Sequence, residues 1–241
     1  MVSRFFCPES LPESGEIPLP EPVSHHAVRV LRLPDGAPLV LFDGAGREVA
    51  ARLIVRGKRG FAELGAWSEP ARESPLELVL VQALASADKM DWVVQKAVEL
   101  GASRIVPVRA ARSVLKLAGE RADKRVAHWR QVAVAACEQC GRNRVPEVGD
   151  ILDLPAYLSA ERDTAEFVIL DPHAGEPLAS LGAPRRACHL LIGPEGGFDE
   201  TELAACRAAG ARALRMGPRV LRTETAGLAV LAAMQTLWGD F

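Results

Sequence analysis

The sequence lacks several features that would place it in a familiar class of protein. No apolar run reaches the about 20 residues that a membrane-spanning helix requires, and the apolar segment 226–238 is short and contains Gln235. The N-terminal segment MVSRFFCPESLPESGE has no signal-peptide core, so we expect a cytoplasmic protein without a membrane partner. The five cysteines are an odd number, which indicates reduced thiols. Cys137 and Cys140 have CxxC spacing but no second pair follows, so we expect no bound metal.

The charge is small overall but unevenly distributed. The formal net charge is −2, which by itself argues against a nucleic-acid partner. Between Arg104 and Arg144, however, ten Lys or Arg residues face only three acidic residues. A solvated helix face with local ion pairs would explain part of this excess. Arg142 and Arg144 follow a predicted helix end with few acids nearby, and we interpret them as contacts to RNA phosphate.

The chain divides into a β-rich part and a part in which strands and helices alternate. In residues 1–70, strand-like runs at 39–42 and 48–54 flank Asp43-Gly44-Ala45-Gly46, which predicts a hairpin within a small barrel. The proline-bracketed segment 68–75 is the best candidate linker. In residues 71–241, strands are predicted at 76–84, 104–108, 167–170, 189–192 and 213–216, and helices begin at Asp88, Glu120, Asp199 and Thr223. This alternation is typical of a parallel sheet covered on both faces.

The most informative segment is the glycine-rich loop after the strand at 189–192. Gly193-Pro194-Glu195-Gly196-Gly197 matches neither G-x-G-x-x-G nor G-x-x-x-x-G-K-[ST]. Pro194 removes a backbone donor, and Glu195 places negative charge where a phosphate would bind. The loop therefore suits a nucleoside with hydroxyls, an amine or a positive charge, a description that S-adenosylmethionine fits. An ordinary strand-to-helix turn is the alternative, with Asp199 and Glu202 as a simple helix cap.

A second polar segment supports the ligand interpretation. Thr223 and Thr225 stand at the start of the last apolar helix, where they offer capping hydroxyls beside unpaired backbone N–H groups. Three loops, at 171–175, 193–197 and 217–225, leave the carboxyl ends of predicted strands. Ligands of open α/β sheets bind beyond those ends, so we infer that the three loops converge.

Three long motifs, in the right order, carry a specific resemblance. LLIGPEGGFDETEL, MGPRVLRTETAGLAVLAAMQ and ACEQCGRNRVPEV resemble the ribosomal RNA small subunit methyltransferase E family, and the resemblance runs from about Arg4 to the C-terminus. The family comprises 16S rRNA (uracil-N3) methyltransferases of the SPOUT superfamily. The resemblance implies a PUA-like β-barrel domain at 1–70 that binds RNA. It also implies a SPOUT-type parallel sheet with a C-terminal trefoil knot at 71–241, S-adenosylmethionine as cofactor and a homodimer with shared active sites.

The resemblance further implies the substrate and the site residues. The substrate would be 16S rRNA in the small ribosomal subunit, with methylation at N3 of uridine 1498. The residues predicted to bind the cofactor are Leu170, Leu191, Ile192, Gly193, Pro194, Glu195, Gly196, Gly197, Met216, Gly217, Leu221, Arg222, Thr223, Thr225 and Ala226. The residues predicted to contact RNA are Arg4, Arg29, Arg32, Arg112, Arg142, Asn143 and Arg144.

The chemistry of uridine N3 suggests which residues act. This imide nitrogen is a poor nucleophile until its proton leaves, so an enzyme must stabilise the developing anion or supply a base. Arg222 is predicted to face the anion, with an ion pair to Glu224 or Glu195 as its alternative role. Glu138 and Glu195 are the candidate bases, and either of them would alternatively bind the cofactor amine or a backbone N–H.

Two other functions remain open on the residues alone. A non-catalytic RNA-binding assembly factor would use the barrel and the basic segment but would leave the two polar loops without a task. A nucleotide hydrolase would use the glycine loop, although the missing Lys-Ser/Thr pair argues against it. Titration with S-adenosylmethionine and with ATP distinguishes the three.

Overall fold

The protein is described by a computed structural model covering residues 2–8 and 11–241. Met1, Glu9 and Ser10, which belong to the predicted first domain, lie outside the described residues. Contacts divide the chain into a first unit, Met1–Glu73 with Cys137–Val145, and a second unit, Ser74–Ala136 with Pro146–Phe241. The break after Glu73 falls inside the predicted linker. The inclusion of Cys137–Val145 in the first unit had no signal in the sequence.

The first unit contains a five-stranded sheet. The elements are β1 Ser3–Phe6, β2 Gly15–Pro18, α1 Glu21–His25, a π-helical turn His26–Val30, β3 Pro38–Phe42, β4 Glu48–Arg56 and β5 Arg59–Ser68. Strands β3 and β4, β4 and β5, and β5 and β2 pair antiparallel, while β1 lies parallel to β3, in the order β1-β3-β4-β5-β2. A closed barrel stays a prediction.

The predicted hairpin between β3 and β4 is confirmed. Asp43 Oδ1 accepts hydrogen bonds from the backbone N–H of Ala45 at 2.7 Å and of Arg47 at 3.2 Å. Gly44 and Gly46 have φ values of 80° and 125°, which side-chain-bearing residues rarely adopt. The turn therefore fixes a register in which alternate strand residues, such as Leu39 and Leu41, enter the core of this unit.

The second unit is built on a parallel sheet, as predicted. Its strands are β6 Leu78–Ala83, β7 Arg104–Arg109, β8 Glu147–Val148, β9 Leu152–Asp153, β10 Glu166–Leu170, β11 Glu176–Pro177, β12 Cys188–Ile192 and β13 Arg212–Arg215. Every pairing described in it is parallel, in the order β11-β13-β10-β12-β6-β7-β8, with β9 also beside β7. Its helices are α2 Ala87–Glu99, α3 Glu120–Cys140, whose last four residues belong to the first unit, α4 Leu154–Glu161, the 3-10 turn Leu178–Ser180, α5 Glu200–Ala208 and α6 Thr223–Trp238.

Helices cover both faces of this sheet. Every residue of the central strands β6 and β12 is buried, as in sheets that are covered on two sides. Leu191 packs on the face that carries α4 and α5, with Tyr157 and Cys206. Gly227 of α6 lies against Leu80 and Ile192 on the opposite face. In the part of the chain that the structure describes, none of the helices combines the length and apolar character needed to cross a bilayer.

One predicted helix start is shifted, the predicted cap of α6 is wrong, and the predicted cap of α5 is confirmed. The N-cap of α2 is Ser86, so Asp88 lies within its first turn. The N-cap of α6 is Arg222, which has extended backbone and makes no side-chain cap bond, and the Thr223 hydroxyl donates to Gly193 instead. Asp199 caps α5 in a full capping box, in which its side chain accepts from the N–H of Glu202 at 2.8 Å and Glu202 accepts from the N–H of Asp199 at 2.9 Å.

Candidate functional site

The three predicted loops meet around one cavity of about 680 Å³ in the second unit. It lies where β10 and β12 end and where α6 begins, which is the expected position in an open parallel sheet. The loops contribute residues 169–173, 192–198 and 220–223, and the other lining residues are Lys89, Arg112, Glu200, Leu203 and Ala226. The inferred convergence is thereby confirmed, although residues 217–219 are not among those that line the cavity.

The glycines of the loop bring bare backbone to the cavity. A Cβ at Gly193 would lie 3.1 Å from the backbone N of Phe198, and one at Gly196 would lie 3.2 Å from the Cβ of Arg112. Gly197 has a φ of 68° and donates its N–H to the carbonyl of Pro194 at 2.9 Å. Side chains at these positions would therefore deform a tight turn whose backbone faces the cavity.

A chain of buried hydrogen bonds fastens this loop to the start of α6. The Thr223 hydroxyl donates to the carbonyl oxygen of Gly193 at 2.6 Å. Gln82, which is fully buried in β6, donates from Nε2 to Thr223 Oγ1 at 2.9 Å and to the carbonyl of Ala83 at 3.0 Å. The hydroxyl predicted to cap α6 therefore joins two cavity-lining segments and holds them in one geometry.

Charged residues at the cavity form a three-membered cluster that the sequence did not reveal. Lys89 Nζ lies 3.0 Å from Glu195 Oε1 and 3.3 Å from Glu224 Oε2. Burial acts to raise the pKa of Glu195, but its own backbone N–H and the Lys89 ammonium outweigh burial and lower that pKa. The Glu195 hydrogen bond and, less strongly, that of Glu224 raise the pKa of Lys89 against a partial desolvation. Lys89 therefore stays protonated, and its positive charge is balanced by the two carboxylates.

Most of the predicted cofactor residues line the cavity. Besides residues 193–197, these are Leu170, Ile192, Leu221, Arg222, Thr223 and Ala226. Leu191 does not, because side chains alternate along a strand and Leu191 points into the α4–α5 face. Met216, Gly217 and Thr225 are also outside the lining. Direct contact of any of these residues with a cofactor stays a prediction.

Two arginines stand at the cavity. Arg222 is exposed and lines it, while the carboxylates proposed as its alternative partners, Glu195 and Glu224, pair with Lys89 instead. Arg112, predicted to contact RNA, also lines the cavity and donates from Nη1 to the carbonyl of Gly196 at 2.9 Å. His173 lies in the lining as well, in a turn where Asp171 accepts its backbone N–H at 2.8 Å.

The role of Glu138 as a catalytic base stays a prediction. Glu138 belongs to the first unit, and its Oε1 accepts the backbone N–H of Phe6 in β1 at 3.0 Å. Burial raises the pKa of Glu138, and the Phe6 N–H opposes that shift. Glu138 is absent from the residues that line the cavity. Its contact fixes β1 against the end of α3, which a short-range sequence pattern does not reveal.

In the loop Gly141–Arg144, the expectation of few acids near Arg142 and Arg144 is wrong, because Glu73 contacts both residues, while their contact with RNA stays a prediction. Arg142 is 7% exposed and pairs with Glu73 at 2.7 Å, an acid that the fold brings from 69 positions away. Asn143 is 2% exposed and accepts a hydrogen bond from Arg4, whose guanidinium also pairs with Glu48 at 2.7 Å. The backbone of Arg144 is held by Glu73 at 3.3 Å, but its side chain is exposed.

Folding also cancels part of the predicted basic face. Arg104 pairs with Glu161 at 3.0 Å, Arg109 with Asp153 at 3.2 Å and Arg130 with Asp150 at 3.0 Å. These acids lie outside the basic segment in sequence, so the local count overstated the positive field. Of the remaining residues predicted to contact RNA, Arg29 and Arg32 are exposed, and Arg32 has a φ of 51°.

Comparison with known proteins adds family-level information. Residues 72–235 match the model of an RNA methyltransferase domain, and residues 19–62 match the model of an RNA methyltransferase PUA domain. The chain is 35% identical to the ribosomal RNA small subunit methyltransferase E of Mycobacterium bovis, over 98% of this chain and 93% of that protein. It is 32% identical to the Bacillus subtilis protein of the same name, over 87% and 86% of the two chains. The crystal structure of the Neisseria gonorrhoeae protein of that name, bound to S-adenosyl methionine, is 40% identical, with a TM-score of 0.94 and full coverage of both chains.

Proposed function

The chain belongs to the ribosomal RNA small subunit methyltransferase E family, and we propose that it transfers the methyl group of S-adenosylmethionine to a uridine of 16S rRNA. The proposed acceptor atom is N3, and the proposed target is uridine 1498 in the assembled small subunit. The observation that carries this proposal is the convergence of three strand-end loops on one cavity, which is lined by the glycines Gly193, Gly196 and Gly197. The resemblance of the same loops to the family supports it further.

The lining fits S-adenosylmethionine better than a nucleoside polyphosphate. Apolar side chains of Leu170, Ile192 and Leu221 offer a surface for a purine ring, and loop carbonyl and N–H groups lie beside them. A polyphosphate would meet the carboxylate of Glu195, and the ammonium of Lys89 already pairs with two carboxylates, which leaves Arg112 and Arg222 as the other cationic side chains of the lining. The related Neisseria gonorrhoeae structure holds S-adenosyl methionine. When bound, this cofactor supplies an electrophilic methyl group.

The chain's own residues are proposed to act by orientation and electrostatics. Arg222 is exposed at the cavity, and no ion pair to it occurs among the described residues, so its guanidinium is available to the uracil carbonyl oxygens as N3 loses its proton. Glu195 is a poor base at neutral pH. Its lowered pKa means that the carboxylate is ionised but binds a proton only weakly. Its pairing with Lys89 suits anchoring of the loop.

For RNA, the exposed arginines are the proposed contacts. Arg29, Arg32 and Arg144 present guanidiniums to solvent, and phosphate contacts of this kind supply most of the salt-dependent affinity for RNA. Arg4, Arg142 and Asn143 are assigned a supporting task, since they hold the loop that carries Arg144.

Three further features complete the proposal. A PUA-like barrel at 1–70 and a SPOUT domain at 71–241 remain our assignment of domains. A trefoil knot is supported by the chain path, since β13 lies beyond β10 while α6 begins against the loop that follows β12.

A homodimer would show as a mass twice the 25.9 kDa of the chain in light scattering at micromolar concentration. A monomer that still methylates RNA would refute shared active sites.

The decisive experiment is methyl transfer from labelled S-adenosylmethionine to small ribosomal subunits that lack the modification. Digestion of the RNA and mass spectrometry of the nucleosides should give 3-methyluridine at a single position. A methyl group on carbon 5, on the ribose or on another nucleobase would refute the N3 assignment while leaving the cofactor intact. Parallel calorimetry with S-adenosylmethionine and ATP should show binding of the first and not the second.

A further inference from the structure

The geometry points to Arg112 as a positioning residue that latches the glycine loop in its cofactor-binding shape. Its Nη1 donates to the carbonyl oxygen of Gly196 at 2.9 Å. The aliphatic stem of the same side chain lies against Gly196. A Cβ added to Gly196 would stand 3.2 Å from the Cβ of Arg112 and 3.3 Å from its Cδ. One side chain thus both covers and fastens the loop. This rests on the proposed function, because the loop is the proposed cofactor site.

The backbone that carries Arg112 is itself held rigidly. The N–H of Ala111 donates to Glu202 Oε1 at 2.7 Å. Ser113 is buried and closes a turn with Ala110, through a backbone bond of 3.0 Å and a hydroxyl contact of 3.3 Å. Arg112 therefore projects from a hydrogen-bonded turn, and its exposed side chain reaches back to the carbonyl of Gly196.

Glu202 connects this turn to the helix that follows the glycine loop. Its two carboxylate oxygens have different partners, since Oε1 accepts from Ala111 and Oε2 accepts from the N–H of Asp199. The side chain is 8% exposed, so both oxygens are largely shielded from water. The loop is consequently held from both sides, by Asp199 at its exit and by Arg112 above Gly196.

This role differs from the RNA contact that the basic segment suggested. If Arg112 contacted phosphate, its replacement would leave cofactor affinity unchanged and would reduce the salt dependence of RNA binding by about one unit. A latch changes cofactor affinity in the complete absence of RNA. The two roles are therefore separable by measuring S-adenosylmethionine binding to the RNA-free protein.

The main variant is Arg112→Met, which keeps an unbranched stem over Gly196 and removes the donor. Loss of a hydrogen bond from a charged donor should raise the Kd for S-adenosylmethionine about tenfold or more. Arg112→Lys should recover part of the affinity, because an ammonium also donates to a carbonyl. Arg121→Ala removes an exposed arginine of the same basic segment, at the first turn of α3, and should leave the Kd unchanged.

Kinetics separate positioning from general damage. With RNA and cofactor both saturating, kcat of Arg112→Met should stay within about threefold of the parent while KM for S-adenosylmethionine rises with the Kd. Glu202→Gln keeps only one carbonyl oxygen and cannot accept both bonds, so it should weaken cofactor binding in the same direction. The double variant should lose less than the sum of the two, because both changes release the same loop.

A readout without any ligand keeps the inference testable even if the proposed function fails. Amide hydrogen exchange of Gly196 and Gly197 in the ligand-free protein should be faster in Arg112→Met and unchanged in Arg121→Ala. If the parent protein does not bind S-adenosylmethionine, the proposed cofactor is wrong, and the exchange rates alone decide whether Arg112 holds the loop. Unchanged exchange and Kd in Arg112→Met, together with a reduced salt slope for RNA, would overturn the latch and restore the phosphate contact.

Discussion

Lys89 and Glu195 lie 106 positions apart in the sequence and form an ion pair of 3.0 Å at the cavity. The pair joins α2 to the glycine loop, and Glu224 of α6 joins it at 3.3 Å. Three separate elements thus share one ammonium group. Removing the ammonium group leaves the two carboxylates close together without a cation between them, and like charges at short range disfavour the ionised forms of both.

Lys89→Met should therefore change the pH dependence of stability. Because the pKa of Glu195 is lower in the folded protein than in the unfolded chain, its ionised form stabilises the fold at pH values above the usual pKa of a glutamate. This contribution is lost as the pH falls through the lowered pKa. In Lys89→Met, that pKa should rise, so the stability difference between about pH 7 and pH 3 should shrink. Thermal unfolding over a pH series measures it. Lys116→Met, at an exposed lysine of the same unit, is the control, and identical pH profiles of the two variants would contradict the argument.

Gly196→Val should abolish binding of S-adenosylmethionine while leaving the fold intact. The new side chain would press against Arg112, which already stands 3.2 Å from the position of a Cβ. The matched change is Gly175→Val, in another strand-end loop, where a Cβ would meet no atom within 4 Å. Calorimetry with S-adenosylmethionine decides, and an unchanged affinity of Gly196→Val would remove the glycine loop from the proposed site.

Arg222→Ala should slow methyl transfer without releasing RNA. If its guanidinium stabilises the anion that develops on uracil, the rate with both ligands saturating should fall by about a hundredfold. Arg219→Ala removes an exposed arginine that does not line the cavity and should transfer methyl at the parent rate. Should Arg222→Ala also keep the parent rate, Arg222 is structural and the stabilising group must be sought elsewhere.

The two arginines of the Gly141–Arg144 loop should behave differently. Arg142→Ala removes the guanidinium that pairs with Glu73 and should lower the free energy of unfolding by about 2 kcal/mol, less than for a fully buried pair because Glu73 retains 26% side-chain exposure. Arg144→Ala should leave stability near the parent and reduce the salt dependence of RNA binding by about one unit.

Two measurements on these variants suffice: chemical denaturation, and RNA binding at several salt concentrations. Glu73→Ala is the matched control for Arg142→Ala and should reproduce its loss of stability, since it breaks the same ion pair. Equal effects of Arg142→Ala and Arg144→Ala on RNA binding, with no loss of stability in either variant, would return Arg142 to the RNA-binding surface.

Local patterns predicted the elements that surround the cavity. Apolar runs placed β6, β10 and β12, and the glycines marked the loop after β12, because strand burial and turn formation depend on near neighbours in sequence. Lys89 and Glu73 were missed because their partners, Glu195 and Arg142, lie far away along the chain. A charge count over neighbouring residues cannot anticipate ion pairs that only the folded chain creates.

The hydrogen-bond chain from Gln82 to Thr223 and Gly193 has a consequence for synthesis of the protein. Gln82 and Thr223 are 141 positions apart, and Thr223 opens the final helix. A growing chain that ends before α6 lacks the hydroxyl that ties the glycine loop in place. A ligand stabilises only the state that can bind it, so the nascent second unit must reach α6 without help from any cofactor. Until α6 has been synthesised and Thr223 bonds to Gly193, the earlier strands of this unit depend on their own apolar packing for stability.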